Sequence, residues 1–301
     1  MAIFYNNKFE ICKTFMEDDF QYAIFPIERI KTATMFQIED KEESILVDGE
    51  HLFLKDEYQY CMIFETNLII YEGLWKNDDL VYGVGYEDNS DYYKGFFKSF
   101  QYHGVGTYFR LNYSKTHGHW RENVLQGSMT IEYEDGSTYE GTWDFETGSG
   151  KGTYTWKDGD IYQGEYRDNV RNGRGYYKNK LGESYDGEWS NNHCSGYGES
   201  YDKDGNFYKG EWRNNMMHGK GQFVYVDGRR YNGCFRNDVK NGYGVYKWTD
   251  GDVYKGKWKN GKRDGKGLKI KGNVTKEMYF QNNKKISEKI VSLEPKNKRK
   301  F

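Results

Sequence analysis

The 301 residues carry a formal net charge of −2 and only 36% hydrophobic residues, yet 18% are aromatic: 29 Tyr, 18 Phe and 8 Trp, beside 36 Gly. A hydrophobic share below the usual ~45–50% excludes a conventional aliphatic core, while the aromatic content excludes disorder, so burial must rest on rings that each cover roughly 150–250 Å². Near-neutrality gives no global field that would draw the chain to nucleic acid or to a membrane.

Residues 1–70 are aliphatic and glycine-poor, and "ILVDGEHLFLKDEYQYCMIFETNLII" alternates as two or three strands do, with Asp48-Gly49 as a turn. They are expected to form a β-rich N-terminal cap. The N-terminus has no signal-peptide layout, and no apolar run approaches the ~18 residues of a membrane helix. Cys12, Cys61, Cys194 and Cys234 are far apart, without metal or redox spacing. A reduced, cytoplasmic protein is expected.

From residue 71 to 273 one frame recurs: Tyr, Gly two on, an aromatic four on, and glycines eleven and thirteen on. It is clearest at Tyr162 ("YQGEYRDNVRNGRG") and repeats at Tyr139, Tyr185, Tyr208, Tyr231 and Tyr254, and upstream at Tyr93 and, one residue longer, at Tyr71. Thr116 starts a worn copy that keeps Gly118, Trp120 and Gly127. Nine copies step by 23 residues, with a single step of 22. Such periodicity marks a repeat architecture.

Within a copy, strand alternation puts Tyr162, Gly164 and Tyr166 on one face and Gln163 and Glu165 on the other. The second strand follows the Gly-x-Gly, as in Tyr154 and Trp156, Phe223 and Tyr225, or Tyr246 and Trp248. Asp-Gly pairs such as Asp158-Gly159 and Asp250-Gly251 then read as hairpin turns. The other turn falls in the variable segment before the eleventh-offset glycine, which is expected to serve it. Two strands at ~4.8 Å per copy give ~10 Å per repeat. Residues 274–301 follow: Ile286, Ile290, Val291 and Leu293 fall on one helical face up to Pro295, and Lys296, Lys298, Arg299 and Lys300 make a basic tail.

At the Tyr-x-Gly-x-Trp unit followed by Gly-x-Gly, the chain resembles the MORN repeat family. That resemblance implies an all-β, elongated single-layer twisted antiparallel sheet of stacked hairpins, with a docking or scaffold role in place of catalysis. Among MORN proteins it is similar to radial spoke head and other axonemal components. The expected partners are therefore other proteins of a large cytoskeletal complex in the cilium axoneme. One alternative is a membrane-surface module associated with phosphoinositides, weakened by a polar face that alternates Lys with Glu; the other is a targeting partner of a separate enzyme, since residues 1–70 are too few for a catalytic domain of the kinds that carry such arrays.

Other chemistry is thinly represented. "GSGKGTYTW" at Gly148 has the look of a phosphate loop, but lacks the required Gly where Phe145 stands and Ser or Thr where Gly152 stands. His117 and His119 share a strand face without a third ligand, and His103 and His218 read as turn residues. His193-Cys194 lies in a variable segment, and Asp202 opens a "DKDG" without the later oxygens of a calcium loop. No catalytic residue, metal site or cofactor is expected. The candidate partner-binding residues are the aromatic face: Tyr139, Trp143, Tyr154, Trp156, Tyr162, Tyr166, Tyr185, Trp189, Tyr208, Trp212, Phe223, Tyr225, Tyr246, Trp248, Tyr254 and Trp258.

Overall fold

The computed structural model describes residues 71–293 apart from Asn77, Asp78 and Asp88, together with the backbone of several strands before residue 71. Among the described residues all regular structure is β-strand. The chain divides into two compact units, Met1–Thr142 and Trp143–Phe301.

In the first unit, Gln59–Glu65, Leu68–Lys76, Asp79–Tyr86, Tyr92–Lys98, Gln101–Arg110, Ser114–Arg121 and Val124–Tyr133 pair antiparallel in chain order. Phe20–Phe25 adds to the outer side of Gln59–Glu65. Gln37–Ile38, Ser44–Val47 and Glu50–Phe53 make a separate small sheet. Asp48 and Gly49 lie outside the described residues.

The second unit is a meander from Ser149–Thr155 to Lys284–Leu293, each strand antiparallel to the next. Opposed residues in an antiparallel pair share a face, so the register defines rows across the strands. One row is glycine throughout, running Gly152, Gly164, Gly175, Gly187, Gly198 and Gly210 and on to Gly267. Beside it runs a ring row: Tyr154, Tyr162, Tyr177 and Tyr185, then Tyr208, Phe223, Tyr231, Tyr246 and Tyr254. The rings therefore fall on one face, as alternation requires.

Glycine is required in that row because the ring lies on it. A Cβ on Gly187 would stand 2.6 Å from both the Tyr185 hydroxyl and the Gly198 Cα, and one on Gly198 equally close to the ring itself. Tyr185 is accordingly only 4% exposed in a single-layer sheet. Covering one such ring, at ~25 cal/mol per Å², is worth several kcal/mol before entropy is counted.

The two turn types are distributed differently from the sequence expectation. At the Asp-Gly end the loop is three residues long. Gly159 N–H donates to Trp156 O at 2.9 Å and Trp156 N–H to Asp160 O at 2.9 Å, with Gly159 at φ +94°. The other end carries tight two-residue turns of asparagine and aspartate with both residues left-handed, such as Asp168–Asn169 (φ 52° and 61°) and Asn191–Asn192 (φ 48° and 66°). The eleventh-offset glycine does not make this turn. Gly196 (φ +61°) sits inside the strand His193–Tyr201, where the register slips between Gly187 and Glu188. Its positive φ serves a bulge.

The expected C-terminal helix is also corrected. Lys284–Leu293 is a strand paired with Val274–Gln281. Asn282–Asn283 (φ 47° and 67°) supplies the same tight turn as in the repeats and feeds the chain back onto the sheet. That turn chemistry, with a full ladder to join, outweighs a helical spacing of only four apolar residues. Residues 294–301, with the basic tail, lie outside the described residues.

Candidate functional site

The repeated rings pack first against one another. Tyr162 meets Trp189 edge-on (5.2 Å, 85°), Trp189 meets Tyr185 (5.3 Å, 88°), Tyr185 meets Trp212 (5.1 Å, 82°), and Trp212 meets Tyr208 (5.2 Å, 85°). The zigzag continues through Phe235, Tyr231, Trp258 and Tyr254 to Phe280. Each tyrosine thus stands between the aromatic of its own copy and that of the next. Edge-to-face pairs of this kind add ~0.5–1.5 kcal/mol beyond burial.

Hydrogen bonds lock the zigzag to the backbone. Where the ladder slips, Tyr185 Oη donates to Glu188 O (2.8 Å) and Ser195 O (3.2 Å), and Tyr208 Oη to Glu211 O (2.9 Å) and His218 O (3.3 Å). Burial pushes the Tyr162 phenol up to about 12, so these hydroxyls remain donors at neutral pH. The indoles of Trp120, Trp189 and Trp212 donate to Gly106 O (3.0 Å), Gly175 O (2.9 Å) and Gly198 O (3.2 Å) of the preceding copy. Trp258 Nε1 is buried without such a partner.

This divides the sixteen candidate rings. Tyr139, Tyr162, Tyr185, Trp189, Tyr208, Tyr246, Tyr254 and Trp258 are buried. Trp143, Tyr154, Trp156, Tyr166, Trp212, Phe223, Tyr225 and Trp248 are half-buried and keep surface to offer. Trp156, Tyr225 and Trp248 stand at the Asp-Gly end, each packed on the ring two residues before it, Tyr154 at 4.8 Å, Phe223 at 4.7 Å and Tyr246 at 4.6 Å.

Sequence reasoning left one position out. Nine residues after each tyrosine come Gly148, Arg171, Cys194, Met217, Lys240 and Arg263, just beyond the tight turn. Tyr166 opposes Arg171, Trp212 opposes Met217, Phe235 opposes Lys240 and Trp258 opposes Arg263, which places them on the aromatic face. Arg171 lies over Trp189 (4.4 Å) and Tyr162 (5.6 Å), and Arg263 over Phe280 (4.3 Å). Lys240 is enclosed by Tyr246 (4.7 Å), Tyr225, Tyr231 and Trp258 (each 5.2 Å), and donates to Tyr225 Oη at 2.7 Å. Burial, with Arg229 nearby, lowers the Lys240 amine to about 8.

The tight turns hold this position in place. Asn192, Asn215, Asp238 and Asn283 each accept, through Oδ1, the backbone N–H of Arg171 (2.8 Å), Cys194 (2.7 Å), Met217 (2.7 Å) and Arg263 (2.7 Å). At Lys240 the corresponding residue is Gly261, which gives only its N–H to Lys240 O (2.9 Å).

The remaining candidates have structural roles. His117 bonds Thr107 Oγ1 through Nδ1 at 2.8 Å on an exposed surface. His103 and His218 lie within strands at the bulge, where their carbonyls accept Tyr93 and Tyr208, and are not turn residues. Cys194 is half-buried with its thiol pushed up to about 12 by burial, the reverse of an activated nucleophile. Asp202 Oδ1 accepts the N–H groups of Asp204 (3.0 Å) and Asn206 (2.9 Å), ordinary turn bonds. Among the described residues no group of three His, Cys, Asp or Glu is placed to hold a metal ion.

Residues 139–161, 162–179, 185–207, 208–229, 231–253 and 254–273 match the family described as MORN repeat. No curated protein matches the sequence significantly. Among solved structures, the chain is 11% identical to the Drosophila melanogaster SAS-4 (dCPAP) TCP domain in complex with a proline-rich motif of Ana2, covering 50% of this chain and 81% of that one at a TM-score of 0.32. A CPAP G-box domain is 10% identical, over 63% of this chain and 93% of that one, also at 0.32. Overlap this low carries no functional argument.

Proposed function

We propose, from the six stretches between residues 139 and 273 that match the family described as MORN repeat, that the protein is a non-enzymatic scaffold whose aromatic face docks other proteins in a cytoskeletal assembly. The observation that carries this reading is the division of the rings. Eight of the sixteen are consumed in holding the sheet together, while Trp156, Tyr225 and Trp248 keep half-exposed rings at one repeat position, where the copies between Trp156 and Tyr225 carry Asn179 and Asp202. Half-exposed aromatics on a regular support are the residues that anchor interfaces.

Within that reading the assembly is the ciliary axoneme, at a radial spoke or a doublet microtubule. It is supported by the resemblance of the repeat unit to axonemal MORN proteins. Native co-purification of a tagged copy, followed by identification of the associated chains, tests the docking role. The associated set should be lost from a Trp156→Ala, Tyr225→Ala, Trp248→Ala triple variant that still folds. Retention of the whole set by that variant refutes docking through this face. Fluorescence of the same tag along axonemes is expected; a plasma-membrane signal refutes the placement.

A further inference from the structure

Five cations of the second unit lie over rings: Arg171, Arg229, Lys240, Arg263 and Lys269. Two of them also stand beside a carboxylate, Arg229 with Asp227 (2.6 Å) and Lys269 with Asp252 (3.1 Å). The other three bond only to amide, carbonyl and phenol oxygens: Arg171 to Asn192, Arg263 to Asn283, and Lys240 to Tyr225. Among the described residues none of them pairs with a carboxylate. A half-buried ion held by rings and neutral dipoles leaves most of its charge uncompensated. The lowered amine of Lys240 is the same deficit seen in its proton affinity.

All three occupy one repeat position, so they lie in one lane across the strands. In order, that lane reads Arg171, Cys194, Met217, Lys240, Arg263: a cation, two neutral apolar-surfaced side chains, then two cations. With two strands at ~4.8 Å per copy, successive members are ~10 Å apart, about one three-residue turn of polyproline II chain, which returns every third side chain to the same face. Resting on the docking role above, we propose that this lane binds an extended acidic segment of a partner protein. Its carboxylates fall opposite Arg171, Lys240 and Arg263, and its apolar side chains lie over Cys194 and Met217.

A phosphate polymer fits less well. It carries a charge every few ångströms, whereas two of these cations are separated by roughly 30 Å of neutral lane. The Asp-Gly end of the same copies also carries Asp160, Glu183 and Asp202, carboxylates that disfavour a broad anionic surface.

The test is fluorescence anisotropy on the full chain with a labelled thirteen-residue probe, Glu-Thr-Ser-Leu-Thr-Ser-Leu-Thr-Ser-Glu-Thr-Ser-Glu, at physiological salt. We expect saturable binding that weakens at least tenfold when the three Glu become Gln, and at least tenfold in a Lys240→Met, Arg263→Met variant. Methionine keeps the packing against the rings, and a thermal midpoint that does not fall shows that the fold survives. The proposal is overturned if the probe fails to bind, if the Gln probe binds equally well, or if phosphatidylserine vesicles or polyuridylate bind more tightly than the probe. Partner co-purification lost with the aromatic triple variant but retained by Lys240→Met, Arg263→Met refutes this lane alone and leaves the docking role standing. Retention by both variants refutes the two together.

Discussion

At the scale of single residues, the tyrosine of the frame combines three functions usually divided among several core positions: it fills the space over a glycine pair, joins two aromatics and satisfies the carbonyls of a bulge. Tyr185→Phe keeps the first two and removes the bonds to Glu188 O and Ser195 O. A loss of about 1–2 kcal/mol is expected by urea unfolding, against about 3–5 kcal/mol for Tyr185→Ala. The tryptophans are not equivalent. Trp189→Phe gives up a bond to Gly175 O and should cost about 1 kcal/mol. Trp258→Phe gives up none and recreates what Phe235 already is one copy earlier, so it should be near neutral. Lys240 makes a pH prediction. Its folded value of about 8 lies below the ~10.4 of an unfolded lysine, so between those values the unfolded chain binds more protons and stability rises with pH. Above ~10 the raised tyrosines work the other way, because the unfolded chain then loses phenolic protons first. Urea midpoints at pH 7 and pH 9.5 should therefore increase in the wild type relative to Lys240→Met. Parallel pH profiles would show that the amine is not desolvated.

At the scale of elements, the hairpin was legible because its constraints are local and repeated. Alternation around Tyr162 placed the rings on one face, and the glycine spacing identified the frame. What was not legible depended on register. The sequence pattern alone cannot show that Gly196 belongs to a bulge and that Asn191–Asn192 makes the turn, since both satisfy the same need for positive φ. It cannot show that position nine folds back over the rings, because that follows from a two-residue slip of the ladder. The recurring Asn-Asn, Asn-Asp and Asp-Asn pairs six residues after the tyrosine were the available clue. The C-terminal helix misled for a related reason: four apolar residues at helical spacing compete with a turn that already directs the strand. Because register is carried by the whole copy, deleting residues 185–207 should preserve the fold. Ser184 then precedes Tyr208 where Phe207 stood, the glycine row stays aligned, and circular dichroism should show a cooperative transition at a lower temperature. Deleting residues 185–196 removes one strand and inverts the direction of all that follow. That variant should not fold cooperatively.

At the scale of the whole molecule, stability in a meander is set by neighbours, since each described strand of the second unit pairs with the strands before and after it. Within the second unit the frame tyrosines Tyr162, Tyr185, Tyr208, Tyr231 and Tyr254 are at most 4% exposed, and each is enclosed by aromatics of two successive copies or of the strand that follows. The final strand, Lys284–Leu293, pairs on one side with Val274–Gln281, and Ile286, Ile290 and Val291 remain about half exposed. Little apolar burial holds it beyond its ladder and the Lys276–Glu288 and Lys285–Glu288 pairs, which lie on the surface where water screens them. Local opening follows burial of this kind. Native-state hydrogen exchange should therefore show a gradient: slowest in the strands Ser184–Ser190 through Val253–Lys259, faster in Val274–Gln281, and fastest in Lys284–Leu293. Sub-global opening from that end should proceed one hairpin at a time, at free energies below that of the central copies. Tyr254→Phe should speed exchange in its own hairpin and the next, while leaving the strands around Tyr162 unchanged. Uniform protection from Tyr162 to Leu293 would mean that the copies unfold as one block, and neighbour-by-neighbour stability would then be the wrong description of this sheet.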